Sequence, residues 1–212
     1  MSARTGYLVA PASGSGPGVL VLHSWWGLTA AFRRMADRLA DAGFVALAPD
    51  LNEGRIPVTA AEAEADLAAI DPNTVADLVI SSAATLRELA ITPDEPIGVV
   101  GFSMGASWGL WLAARQPRLV GAVTAFYGTQ SIGFEAATAR FQVHAAEHDE
   151  LVSDDDMVLL EAALHLDGHD ADVHRYPGTS HWFMEDDRPD SYDAEAAALA
   201  WERTLGFLRR DA

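Results

Sequence analysis

Strand-like runs alternate with helix-like patterns along nearly the whole chain, and no other feature constrains the fold as tightly. The strand-like runs fall at residues 18–23, 44–48, 96–102, 120–126, 140–145 and 172–176. Patterns with helical spacing separate them at 29–42, 74–90, 104–115, 154–166 and 191–210. Several strands are continuous apolar stretches rather than alternations, which is expected where helices cover both faces of a sheet. Strand alternating with helix predicts an α/β chain with a mostly parallel, doubly wound sheet. The Gly/Pro/Ser cluster at 11–18 reads as a loop after a short first strand, and no segment reads as an interdomain linker. Residues 1–212 are therefore expected to form a single domain. Thr29, and Ser153 with Asp156 three residues on, stand where helix N-caps are favoured; Gly43 and Gly168 stand where helices stop.

Composition removes whole classes of chemistry. There is no cysteine, so disulfides, thiolate nucleophiles and cysteine-bound zinc are excluded. All 14 basic residues are arginine, which excludes a P-loop lysine or a Schiff-base lysine. A formal net charge of -17 repels phosphate backbones and argues against a nucleic-acid partner. Residues 97–114 carry no charge but are punctuated by glycine, and read as a buried strand entering a buried helix rather than a membrane span. With no signal peptide recognisable at the N-terminus, the expected location is cytoplasmic.

In doubly wound sheets, ligands bind outside the carboxyl ends of the strands. One such position holds Gly101-Phe102-Ser103-Met104-Gly105, a Gly-x-Ser-x-Gly sequence between a predicted strand and a predicted helix. That turn would raise the Ser103 hydroxyl at a helix N-terminus, where backbone N–H groups favour negative charge. A serine nucleophile needs a base, and the base an orienting acid. Asp149 follows the strand ending near residue 145, and His181 follows the strand ending near 176. Glu147, Asp154 and Asp155 share the acidic segment and compete with Asp149. His144 and His174 fall on strands. His165 and His169 bracket a helix end without an evident third ligand, so no metal site is expected. Oxyanion donors are expected from the backbone N–H of Met104 and, in the loop after an early strand, of Trp25. Ser24, Trp26 and Trp182 are candidate pocket residues around a small acyl or alkoxy group.

These pieces together resemble the dienelactone hydrolase family of α/β-hydrolases over nearly the whole chain. The matching segments are 18–23 with Trp26-Gly27-Leu28, 42–51, 101–105, 144–149 and 176–181. The resemblance implies an α/β-hydrolase fold, a triad of Ser103, Asp149 and His181, and oxyanion donors at Trp25 and Met104. It also exposes three departures. The well-studied members of the family use a cysteine where this chain has Ser103, and a glutamate where it has Ser24. Glu185 stands where an arginine that holds a substrate carboxylate is expected, so an acidic cluster beside the histidine is expected to repel anionic substrates.

The expected function is a serine hydrolase acting on a small neutral ester or lactone, without a cofactor. The short stretch between the later strands at 127–139 implies no large lid domain. A non-catalytic binding protein on the same fold and a triad-retaining lyase or perhydrolase are the alternatives.

Overall fold

The computed structural model describes residues 6–90 and 95–209. Among the described residues, seven strands form one sheet: β1 (Tyr7–Val9), β2 (Gly18–Leu22), β3 (Val45–Ala48), β4 (Ile97–Phe102), β5 (Val120–Phe126), β6 (Arg140–His148) and β7 (Ala171–Ser180). Their order across the sheet is β1-β3-β2-β4-β5-β6-β7. Only β1 is antiparallel, pairing with β3; the remaining neighbours are parallel. Six helices among the described residues connect or follow the strands: α1 (Ala30–Asp41), α2 (Ala60–Ala69), α3 (Pro72–Leu89), α4 (Met104–Arg115), α5 (Asp154–Leu166) and α6 (Ala194–Leu208).

The continuous apolar strands do what their composition implies. On β2, Leu20 and Leu22 belong to one core cluster with α3, α4 and α5 residues such as Val79, Leu110 and Leu160. Val19 and Val21 point the other way, towards Phe32 and Leu39 of α1 and Trp201 of α6. The period-two geometry of a strand sends successive side chains to opposite faces, and both faces are dry. Burying both sets of side chains removes a large apolar area from water, at about 25 cal/mol per Å2.

After the edge strand β1, the chain runs through β2, moves outward to β3, and then crosses back to β4 on the other side of β2. That reversal makes the carboxyl ends of β2 and β4 a topological switch point, the place where such sheets bind ligands. The link from β5 to β6, residues 127–139, contains no helix and inserts no lid domain.

Several boundaries differ from the sequence reading. β6 and β7 run on to His148 and Ser180, directly up to Asp149 and His181. α6 starts at Ala194, where the Asp193 side chain accepts the Ala196 N–H; the expected end at Arg210 lies outside the described residues, as does the first part of the N-terminus. Thr29 does precede α1, though its hydroxyl makes no capping bond. Ser153 and Asp156 form the expected capping box, and Gly168 follows α5 at φ +87°. α2 was not anticipated. Among the described residues, no helix is long and apolar enough to cross a membrane.

Candidate active site

The turn from β4 into α4 leaves no room for side chains at its glycines. Ser103 sits there at φ 52°, ψ -115°, a left-handed conformation that costs a non-glycine residue about 1–3 kcal/mol. Its N–H donates to the Phe126 carbonyl at 2.9 Å, tying the turn to β5. The glycines on either side allow α4 to come this close. A Cβ on Gly105 would lie 2.1 Å from the Leu22 carbonyl oxygen, and one on Gly101 would lie 2.4 Å from the Gly105 oxygen. The same approach sets the N-terminus of α4 against the end of β2, where the loop carrying Trp25 begins. Met104 is the first residue of α4, so its N–H has no acceptor within the helix.

His181 and Asp149 meet this turn from the neighbouring strand ends. The Ser103 Oγ lies 2.8 Å from His181 Nε2, and His181 Nδ1 lies 2.8 and 2.7 Å from the two Asp149 carboxylate oxygens. In the neutral tautomer this arrangement favours, Nδ1–H donates to the carboxylate and Nε2 accepts from the serine hydroxyl. The histidine and aspartate side chains are 4% and 6% exposed, so water competes little for these bonds. Asp149 is itself held, its Oδ1 accepting the N–H groups of Leu151 and Val152 at 2.9 Å.

The competing acids lie elsewhere. Glu147 accepts the Gly178 N–H, and Asp154 pairs with Arg175 at 3.4 Å in the first turn of α5. Asp155 occupies the same first turn. His144 is fully buried, its ring bonded to Tyr176 and Gln142. Burial pushes its imidazole well below the ordinary histidine range. His169 sits beyond α5, bonded to the Phe134 carbonyl.

The loop after β2 is braced by residues that the sequence reading did not single out. His23 is completely buried. Its Nδ1 lies 2.6 Å from the Ser24 carbonyl and its Nε2 accepts the Leu51 N–H at 2.9 Å. Those two partners require a neutral ring with the proton on Nδ1, consistent with burial lowering its affinity for a second proton. Asn52 donates its side-chain amide to the Trp25 carbonyl at 2.9 Å. The signal for these residues was position: His23 directly follows β2, and Asn52 lies in the turn after β3.

Trp25, Trp26 and Trp182 form one aromatic cluster, with ring centroids 5.5 to 5.8 Å apart. Trp182 also stands edge-on to His181 at 4.8 Å, and holds a positive φ of 66°. A cavity of about 530 Å3 opens beside His181, lined by Glu147, His148, Asp149, Glu150 and Trp182 among others. Of the three expected pocket residues, only Trp182 lines it. Trp26 is buried among the rings and under Arg188, whose guanidinium lies 3.8 Å from its ring centroid. Ser24 is wholly buried, and its hydroxyl faces the protein interior.

Glu185 also departs from expectation. It is not a surface charge beside the histidine but a fully buried side chain. Its two oxygens accept hydrogen bonds from Ser24 Oγ at 2.9 Å and Tyr127 OH at 3.0 Å. Burial raises its carboxyl to about 8, partly opposed by those two hydroxyls. Burial thus favours its uncharged form at neutral pH, which weakens any repulsion of an anionic substrate. The next acid, Asp186, is paired with Arg34.

Comparison with known proteins bears on the family and the fold. The model of the dienelactone hydrolase family matches residues 5–211. The chain belongs to the dienelactone hydrolase family. It is 33% identical over 96% of its length to Protein usf of Aquifex pyrophilus, covering 92% of that protein. A putative carboxymethylenebutenolidase of Aquifex aeolicus is 31% identical over the same shares of the two chains. The crystal structure of a putative dienelactone hydrolase from Klebsiella pneumoniae superposes with a TM-score of 0.84 at 21% identity, covering 97% of this chain and 92% of that one. At that identity the superposition bears on the fold alone, and it is the α/β-hydrolase fold. Within the dienelactone hydrolase family, this member places a serine at the strand-to-helix turn and a buried acid four residues beyond the histidine.

Proposed function

We propose that the protein is a serine hydrolase that cleaves small, neutral carboxylic esters or lactones through an acyl-enzyme on Ser103. The observation that carries this reading is the unbroken chain from the Ser103 hydroxyl through His181 to Asp149, with both links at or below 2.8 Å. His181 Nε2 takes the Ser103 proton as Oγ attacks the substrate carbonyl, and Asp149 orients the ring and stabilises the imidazolium. The carbonyl oxygen, now negative, rests on the backbone N–H groups of Trp25 and Met104. As the tetrahedral intermediate collapses, His181 returns the proton to the leaving alkoxide. Water then repeats the sequence: His181 removes its proton, hydroxide adds to the acyl carbon, and Ser103 leaves with the proton restored.

The relative named putative carboxymethylenebutenolidase draws the reading towards lactones. The preference for neutral substrates rests on Glu147 and Glu150 around the cavity beside His181, since Glu185 no longer supports it. The short, helix-free link at 127–139 suits a compact substrate. The wild-type enzyme is expected to turn over p-nitrophenyl acetate and to be labelled by a fluorophosphonate, and Ser103→Ala to lose both. A wild-type protein that neither turns over esters nor is labelled would leave the fold as a binding scaffold instead.

A further inference from the structure

The Ser24–Glu185–Tyr127 cluster plays no part in the chemistry just described, yet it joins the two sides of the site. Ser24 immediately precedes Trp25, whose N–H is the proposed oxyanion donor. Tyr127 packs its ring 4.8 Å from His181 and gives its backbone N–H to the His144 carbonyl at 2.8 Å. It holds φ +38°, a strained conformation that persists only where its surroundings enforce it. Glu185 lies on the turn that follows His181, its own N–H donating to the Trp182 carbonyl at 2.9 Å. One carboxyl group thus links the loop after β2, the end of β5 and the turn after β7.

We propose that Glu185 is a positioning residue that couples the Trp25 loop to the His181 imidazole through its hydrogen bonds with Ser24 and Tyr127, an inference that rests on the serine-hydrolase reading above. In the neutral acid, one carboxyl oxygen carries a proton and donates to one hydroxyl partner while the other oxygen accepts. Both bonds are kept, and no charge stands behind the oxyanion site. In the ionised form both oxygens only accept, and a buried negative charge opposes the negative charge that develops on the substrate oxygen. Around Glu185 the charged and titratable neighbours are Asp187, which favours the neutral form, Arg188, which favours the charged form, and the Tyr127 phenol, itself pushed well up by burial. Asp149 reaches the cluster through its field on Tyr127.

Glutamine reproduces the neutral acid, with an oxygen that accepts and an amide that donates; leucine keeps the bulk and removes both bonds. Glu185→Leu is expected to lower kcat about 10- to 100-fold, the scale of a misplacement near 1 Å, with KM changed by less than about threefold. Glu185→Gln is expected to stay within about threefold of wild type at neutral pH. Wild-type kcat should fall as pH rises through about 8, and that alkaline fall should be missing from Glu185→Gln. A Leu variant with wild-type kcat, or a Gln variant as impaired as Leu, would overturn the proposal. Should Leu fail to fold, Ser24→Ala and Tyr127→Phe each remove one hydroxyl and take its place; wild-type kcat in both would overturn it equally. The same assays separate the two readings. An inert, unlabelled wild type sinks the hydrolase itself, whereas an active wild type matched by Glu185→Leu sinks only the coupling role.

Discussion

Asp149 touches the His181 imidazole directly and Glu185 reaches it only through the Tyr127 ring, and the surroundings of the two carboxyl groups differ as much as their positions. Asp149 meets the His181 ring directly and accepts two further backbone N–H groups, a set of donors that suits a carboxylate. Glu185 meets only two hydroxyls, away from water, and burial holds it neutral to about 8. The lesson is that donor type and solvent access, more than proximity to a base, decide whether a carboxyl group serves as a charge or as a hydrogen-bonding link.

The sharpest way to break this contrast is to make both acids permanently neutral. Asp149→Asn should lower kcat by about 10^4-fold, because an amide no longer favours the ring tautomer that leaves Nε2 free to accept. Glu185→Gln should be nearly silent at neutral pH. Equal losses in single-turnover kinetics would erase the distinction.

Stability offers the next largest effect. The Glu185 carboxyl titrates near 4.5 when exposed and near 8 in the fold. Below the lower value both states hold the proton. Between the two values only the unfolded chain has released it, so folding stability declines as pH rises through that window, and the decline levels off above about 8. The Glu185→Gln variant lacks this proton. The unfolding free energy of wild type minus that of the variant should therefore drop by a few kcal/mol between about pH 5 and 9. A difference independent of pH, measured by urea denaturation, would mean that Glu185 is ionised in the fold.

The smallest effect concerns the rim. Replacing Glu147 and Glu150 together by glutamine should raise kcat/KM for anionic esters relative to neutral ones by about two- to fivefold at low salt, and by less at high salt. An unchanged ratio at low ionic strength would remove the electrostatic basis for a neutral substrate.

The parts of the site that were legible in the sequence are those whose causes lie close together along the chain. A strand, Gly101 to Gly105 and a helix form one contiguous segment, so the Ser103 turn could be read directly. Asp149 and His181 were legible by position, because a parallel sheet puts every strand's carboxyl end on one edge. α2 was missed although Thr59 and Glu62 form a capping box; with Ala63 its only buried residue, it has no apolar stripe to reveal it. Tyr127 could have been found by the rule that located Asp149, since it directly follows β5. Ser24 and Glu185 both stood out in the sequence, but as a pocket residue and a surface charge; their contact and burial were not legible, because the bond between them spans 161 positions.

Apolar periodicity, turn glycines and strand-end positions alone determined the α/β architecture and the Ser103, Asp149 and His181 constellation, because each acts through neighbours in sequence or through the regularity of a parallel sheet. Tertiary structure decided which way Ser24 faces and what Glu185 is. A carboxyl group's proton affinity depends on the water it loses and the donors it gains, and those are supplied by distant segments that only folding brings together.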